Sequence, residues 1–448
     1  MNGLEKKYGL FTAIAMVVGV VIGSGVFFKA DDVLTMTDGN LILALVAWAT
    51  GAFSMIFGAL VFAEFAQRIE KANGIVDYTE AAYGKKAGYL VGWFNWILYF
   101  SPLSAILAWV SAMYTMILMG RDNPANSTAT WMLAAAYMLL AYVLNSFAPK
   151  IAGNFQVGTT LIKLIPLFAV GIVGIISGIF SGVTIDNFTT AAMTVGSKGG
   201  TLASAVVATA FAYEGWIIAI TINNEIKDSK KNLPKALTVG TFIVFLVYIM
   251  YFMGIAGVLP TDQIVAEGDN AVSIAASMLF GTMAASILTG FVVISCLGTL
   301  NGLVLSNIRL PYSLAIRGQG PLPGKLSVVN EAVHMPLRAA MFSAVVSFLY
   351  LGLWYASLNE LFGRFIGLDE IPIVMVYGLY FMLYIWYMRN FKDLSFGKRF
   401  IKPAFAMLGA LIILYGGITN PSIGLYLLIS LGVLVFGLIF YNSDAKAD

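Results

Sequence analysis

Apolar residues in this chain come in long unbroken runs separated by short polar stretches. Twelve such runs recur, at 9–36, 41–67, 86–119, 130–147, 153–181, 201–224, 236–259, 279–314, 336–354, 357–389, 402–418 and 421–441. A helix needs roughly 20 apolar residues to cross a bilayer core. Strands of a membrane barrel would instead alternate apolar and polar residues over ~10 positions, and these runs do not alternate. Charged clusters around 64–86 and 225–235 are short enough to be loops. The pattern predicts an all-α membrane protein: one domain over 1–448 with twelve transmembrane helices.

Two runs carry a weak point. The first contains VVIGSGVFF at 20–28 and the sixth contains FAYEGWIIA at 211–219. Gly19 and Gly23 form GxxxG, which taken alone favours helix packing. The pair of interruptions changes that balance. Gly23 and Gly215 each stand about fifteen residues into their runs, and the two runs enter the bilayer from opposite sides. Matched interruptions in the first helix of each half point to an inverted repeat with a site near the midplane. The repeats are placed at 9–181 and 201–389, with helices eleven and twelve at 402–441.

A broken helix supplies chemistry as well as a weak point. In hydrocarbon every backbone amide and carbonyl needs a partner, so a break survives only where protein or a polar cavity covers it. Unwinding at Gly23–Gly25 frees the amides of Ser24, Gly25 and Val26. They open the second half-helix at its positive end, which suits a carboxylate. The carbonyls of Val21 and Ile22 close the first half-helix and suit an ammonium. Unwinding over Phe211, Ala212 and Glu214 up to Gly215 adds further carbonyls for the same ammonium. Both features side by side fit a zwitterionic α-amino acid.

Composition agrees with the pattern. The chain is 59% hydrophobic and 11% charged over 448 residues, with a mean hydropathy of +0.86. Lysine and arginine set orientation. With the N-terminus placed in the cytoplasm, 21 of the 26 fall in cytoplasmic loops. Only Lys29, Arg121, Lys198 and Arg364 fall outside, and Lys163 lies within a span. The bias predicts cytoplasmic N- and C-termini and an even number of helices. It also accounts for the net charge of +3 without a nucleic-acid partner. The one cysteine, Cys296, leaves no intramolecular disulfide, and the one histidine, His334, stands at a cytoplasmic helix start. No zinc-ligand cluster, Walker loop or serine–histidine pair occurs. Neither an enzyme nor an ATP-driven pump is expected, and no metal or cofactor.

At these residues the sequence resembles the amino acid–polyamine–organocation (APC) superfamily, and within it the L-amino acid transporter (LAT) branch. IGSGVF at 22–27 is similar to the first-helix signature, and FAYEGW at 211–216 to the sixth-helix pattern. Glu225 with KNLP at 231–234, and SCLGTLNG at 295–302, are similar to the loop that follows and to the eighth helix. The resemblance implies a LeuT-type 5+5 inverted repeat with discontinuous first and sixth helices. It implies that the backbone of Val21, Ser24, Gly25 and Val26 holds the substrate's α-groups, with Phe211, Ala212 and Glu214 opposite. Phe211 is then a lid over the substrate, and Trp216 lines the outer side of the cavity. Many members carry glycine where this chain has Glu214.

Lys163 lies some twelve residues after Ile151 in VGTTLIKLIPLF. At ~1.5 Å per residue it stands ~18 Å deep, near the midplane. Lysines that merely reach back to the interface sit near helix ends, and a charge at this depth reads as functional. The resemblance implies that Lys163 replaces the sodium ion that links helices one and eight in LeuT-type symporters. Its amine would reach the Gly19 carbonyl and the Ser295 hydroxyl, making transport sodium-independent. The Glu214 backbone is expected at the substrate with its side chain turned away, because a cavity-facing charge deters neutral substrates through desolvation. A side chain that did intrude would shrink the pocket in favour of alanine, serine or cysteine. Of the two tyrosines of helix seven, Tyr248 and Tyr251, the first is the better candidate for a polar contact near the cavity.

The leading expectation is a sodium-independent antiporter for small neutral L-amino acids, working by alternating access in a bacterial inner membrane. Proton-coupled symport, with Lys163 or Glu214 as proton carrier, is the alternative. A non-transporting amino acid receptor or a channel fits less well. The loop MGRDNPANSTAT at 119–130 has no cysteine, so no disulfide-linked heavy subunit is expected. The partners are then the amino acid substrate and the lipid bilayer, with the chain working alone.

Overall fold

A computed structural model of the chain describes residues 9–23, 25–69, 74–194, 202–217, 220 and 226–443. Ser24, Glu225, Lys6, Lys7, Lys71, Lys198 and Lys446 lie outside the described residues. Nine helices among the described residues are long and apolar enough to cross a membrane. Three shorter apolar helices accompany them, in 10–19, 202–212 and 423–438. The two predicted breaks explain two of the short ones.

The first run folds as α1 (Leu10–Val21), α2 (Gly25–Phe28) and α3 (Ala30–Met36), followed by α4 (Leu41–Arg68). Asn40 caps α4 by accepting from the Leu43 amide at 3.0 Å. Next come α5 (Ile75–Tyr83), α6 (Lys85–Phe94), a π-helical turn at Asn95–Phe100, and α7 (Ser101–Leu118). Pro102 has no amide to give the Leu98 carbonyl, and Ser101 Oγ donates to the Trp96 carbonyl at 2.8 Å. The ladder therefore widens for one turn, which brings Tyr99 into the wall described below.

The scaffold continues through α8 (Thr128–Phe147), α9 (Pro149–Ile162), α10 (Leu164–Ser181) and α11 (Val183–Thr194). The α9–α10 joint has the same origin as the π turn. Pro166 cannot donate to the Ile162 carbonyl, and Lys163 sits in the turn between the two helices. The sixth run holds α12 (Leu202–Ala212), followed by α13 (Ser229–Ala256), α14 (Thr261–Glu267), α15 (Ala271–Phe280) and α16 (Thr282–Ile316). Last come α17 (Pro323–Leu326), α18 (Leu337–Leu358), α19 (Glu370–Asn390), α20 (Lys402–Ile418) and α21 (Ile423–Leu438).

Lipid tails are as apolar as leucine, so helices in a bilayer adhere by close packing and polar contacts. Both devices are present. Gly174 and Gly178 of α10 stand against Gly254 of α13 and Gly257 at its C-cap, where an added Cβ would strike opposing backbone. A buried amide network joins four helices. Asn307 of α16 reaches Ser101 of α7, Tyr142 of α8 and Ser347 of α18 at 3.2, 2.9 and 3.1 Å. Asn145 donates to Asn301 Oδ1 at 2.8 Å.

Helix α4 is about 42 Å long at 1.5 Å per residue, and ion pairs mark its far end. Arg68 grips Asp393 in a two-pronged bond, which holds that exposed carboxyl below its ordinary pKa. Arg317 joins Asp77 and Glu80, and Lys398 joins Glu64 at 3.4 Å. Arg68, Arg317 and Lys398 all belong to the set expected on the cytoplasmic side.

Replacing Gly174 by valine is expected to lower the thermal unfolding midpoint of detergent-purified protein by several degrees, because the neighbours it meets are backbone atoms of Gly254 and overpacking costs about 1–3 kcal/mol. Gly432→Ala, with nothing near the new methyl, should hold or raise the midpoint. Thermal denaturation monitored by size-exclusion chromatography decides both.

Candidate functional site

A cavity of about 60 Å³ lies where α1, α7, α12 and α16 meet, several times the 10–15 Å³ that one water requires. Both interruptions contribute to its wall: Val21, Gly23 and Gly25 from the first, Phe211, Ala212, Glu214 and Gly215 from the second. Tyr99, Leu103 and Leu107 close it from the α7 side, and Thr299, Gly302 and Leu303 from α16.

The first break begins at Ile22, whose ψ of 87° leaves the helical region. The second turns at Gly215, with φ +103°, a conformation that favours glycine. The two breaks touch. A Cβ on Gly25 would lie 2.6 Å from the Ala212 Cα, and one on Gly23 would lie 2.9 Å from Thr299. Gly19 stands closer still to Thr160 of α9. The GxxxG glycines therefore serve close packing and the interruption together.

The freed carbonyls are mostly engaged within the protein. Lys163 is fully buried and donates to the Gly19 carbonyl at 2.5 Å and the Ile22 carbonyl at 2.7 Å. Its third partner is Thr299 Oγ1 at 3.5 Å, not the expected Ser295. Ser295 stands one turn away on α16 and donates to the Gly23 carbonyl at 3.5 Å. Tyr248 Oη lies 2.9 Å from the Val21 carbonyl and 3.1 Å from the Ala212 carbonyl. One hydroxyl thus reaches both breaks. The Phe211 carbonyl accepts from the Glu214 amide at 3.1 Å. The first two amides of α2, those of Gly25 and Val26, have no helical carbonyl behind them, and of the two residues Gly25 lines the cavity.

Several expected site residues are placed differently. Ile22 and Val26 are fully buried and outside the cavity wall. The ring of Trp216 packs against Phe62 and Tyr380 at centroid distances of 5.5 and 5.8 Å, away from the cavity. It follows the Gly215 turn, which sends it toward α4 and α19. Tyr251 meets the Phe27 ring edge-on at 5.2 Å. Glu214 belongs to the cavity lining, and its carboxyl is engaged within the protein, with Oε2 accepting from Tyr99 at 2.8 Å.

Three participants carry no signal of their own in the sequence. Tyr99 enters through the π turn and Thr299 through its place beside Lys163. Lys29 reads from the sequence only as an outside charge. In the structure it is 8% exposed, lies 5.3 Å over the Phe211 ring, and pairs with Asp32 at 3.1 Å and Asp369 at 3.3 Å. It thereby ties the end of the first broken helix to the start of α19 over Phe211. The GSG and FAYEGW motifs carry no information about a partner on α19, so this contact needed coordinates.

Lys163→Met keeps the length of the side chain and removes its donors. It is expected to lower the unfolding midpoint by several degrees, because the Gly19 and Ile22 carbonyls lose their shared donor and a buried acceptor left alone costs about 1–3 kcal/mol. Tyr248→Phe, which strips one hydroxyl from two carbonyls, should cost less. Midpoints of the purified variants test the order.

Known proteins share both the sequence pattern and its extent. A profile of the amino acid permease family matches residues 8–438. The chain is 33% identical over 383 residues to the serine/threonine exchanger SteT of Bacillus subtilis, covering 86% of this chain and 83% of that one. It is 28% identical over 356 residues to the human large neutral amino acids transporter small subunit 2, covering 78% and 64%. Against the mouse Asc-type amino acid transporter 1 it is 26% identical over 341 residues, covering 75% and 63%. The chain thus spans just under two thirds of the length of these two mammalian relatives. With a match over nearly its whole length, and with its multi-pass apolar helices, the chain belongs to the amino acid permease family, a family of membrane transporters.

Proposed function

We propose that this protein exchanges small neutral L-amino acids across the bilayer by alternating access, without sodium. The observation that carries the reading is the junction of two interrupted helices at one cavity. Gly25, which opens α2, stands on one side of it and the Phe211–Gly215 turn on the other. A carboxylate suits the amides that open α2. An ammonium suits the Ala212 carbonyl, which shares the single Tyr248 hydroxyl with the Val21 carbonyl, while the Val21 carbonyl also accepts from the Gly23 amide at 2.8 Å. Serine and threonine are included among the substrates because a relative with 33% identity is named a serine/threonine exchanger.

The reading takes the fold as twelve helices in a LeuT-type 5+5 repeat, with α1–α3 and the α12 segment as the broken pair. It places both termini in the cytoplasm, because the basic ends around Arg68, Arg317 and Lys398 follow the distribution of charge along the chain. Lys163 then acts as a tethered cation at the position that sodium takes in the LeuT-type symporters the sequence resembles. Its ammonium holds the Gly19 and Ile22 carbonyls. The cost of reorientation falls only when an amino acid bridges the two breaks, which is the differential stabilisation that exchange requires. Lys29 and Phe211 close the outer face. No disulfide-linked partner is required.

Proteoliposomes test this directly. Labelled L-serine or L-alanine should enter severalfold faster when the vesicles contain unlabelled amino acid, with rates unchanged when potassium replaces sodium. Lys163→Met should reduce exchange sharply. Accumulation in empty vesicles driven by an imposed proton gradient would instead establish symport.

A further inference from the structure

The segment that leads from α19 into α20 is more basic than its ion pairs account for. It holds Arg389, Lys392, Lys398, Arg399 and Lys402 against one acid, Asp393, and Asp393 is already taken by Arg68 of α4. Lys398 reaches Glu64 of α4 at 3.4 Å with 52% of its side chain still exposed. Arg399 Nε donates to the Met388 carbonyl at 2.8 Å, and its guanidinium lies 4.8 Å over the Phe400 ring. No other carboxylate pairs with these five cations among the described residues. Next to this rim α20 turns an apolar stripe outward. Ile401, Phe405, Leu408, Leu411, Tyr415 and Ile418 are exposed, and their spacing of three and four puts them on one helix face. From Ile401 to Leu411 is about 15 Å at 1.5 Å per residue, half of a ~30 Å core and so the depth of one leaflet. The Phe405 ring packs on Phe57 and Phe53 of α4 at 5.0 and 5.8 Å, and all three rings stay partly exposed. The seam between α4 and α20 thus has an aromatic floor and a cationic mouth.

We propose that this seam binds one anionic phospholipid, its phosphate among Lys398, Arg399 and Lys402 and an acyl chain along Phe405 and Leu408. The leaflet is the cytoplasmic one on the orientation given above. Basic loops set orientation wherever they lie on the cytoplasmic side, and that role needs no groove. What points to a ligand is the register: the excess charge sits at the head of a seam one leaflet deep. Lys398, Lys402 and Phe405 follow one another along the same face. Lysine stems lie against apolar surface while their ammonium groups stay at headgroup level. Phe396, 72% exposed, stacks near Phe400 at 5.4 Å and marks the same level, where aromatic rings favour the interface. A group of about four to eight Lys and Arg beside a span is a pattern that anionic lipid recognises. Each such contact is worth roughly a fivefold gain in affinity, so the three named here give roughly a hundredfold.

The test uses the purified full-length chain in micelles holding equimolar phosphatidylglycerol and phosphatidylcholine with the same acyl chains. Native mass spectrometry should show one retained phosphatidylglycerol, favoured by about tenfold or more. In phosphatidylcholine nanodiscs, added phosphatidylglycerol should raise the thermal unfolding midpoint. The triple variant Lys398→Gln, Arg399→Gln, Lys402→Gln should lose both effects. Should it not fold, Arg399→Gln with Lys402→Gln leaves the Lys398–Glu64 pair in place and should still cut the preference at least fivefold. Lys85→Gln, Lys86→Gln, Lys325→Gln removes the same charge from exposed positions on the same side and should keep the wild-type preference. Equal retention of the two lipids by the wild-type protein, or a preference that survives in the Arg399/Lys402 variant, would overturn the proposal. Equal loss in the Lys85/Lys86/Lys325 variant would also overturn it, by showing diffuse surface charge in place of a seam.

Discussion

A peptide group without a hydrogen-bond partner in hydrocarbon costs several kcal/mol, and interrupting a helix at the midplane creates such groups in quantity. Much of this structure can be read as the response. Lys163 takes the Gly19 and Ile22 carbonyls, Ser295 takes Gly23, and Tyr248 spans Val21 and Ala212. The donors come from the α9–α10 joint, α16 and α13, so the interruption in α1 fixes how these elements stand around it. The acceptors are largely satisfied from within, while Gly25 opens α2 at the cavity wall with no helical carbonyl behind its amide.

The glycines show why two readings of the same motif need not compete. GxxxG at Gly19 and Gly23 is a packing motif, and the close approach to Thr160 and Thr299 bears that out. Yet the close approach is what lets a lysine from a neighbouring helix and a threonine from α16 reach the backbone there. Close contact between helices is thus what makes the interruption survivable. The same holds across the site, where Gly25 lies against Ala212.

Much is legible in the chain itself. Apolar run length is dictated by bilayer thickness, so the spans can be read without a template, and the two interruptions are visible as GSG and EG inside those runs. Lys163 stands out because burying a charge so far from a helix end is costly, and a protein keeps it there only for a task. Other features are not legible. The choice of Thr299 over Ser295, which share one face of α16, depends on an offset of one turn along the helix axis, which run length does not determine. Tyr99 reaches the wall only because Pro102 and Ser101 widen the helix by one residue, a local shift with no periodic signature. Trp216, expected at the cavity, is carried past it by the turn at Gly215. The Lys29–Asp369 pair joins residues some 340 positions apart, and nothing local to either announces the other.

The Lys163 ammonium has a further consequence once transport is considered as a flow of charge. A sodium ion at that place would cross with its cargo and subject every cycle to the membrane voltage. A lysine is bonded to its helix and returns with it. On the exchange reading each half-cycle then carries a zwitterion of zero net charge, in either direction. Such a carrier is blind to voltage and to salt gradients alike. It cannot enlarge a cell's store of amino acids; it can only change which ones the store contains, one molecule at a time, until the ratios on the two sides agree.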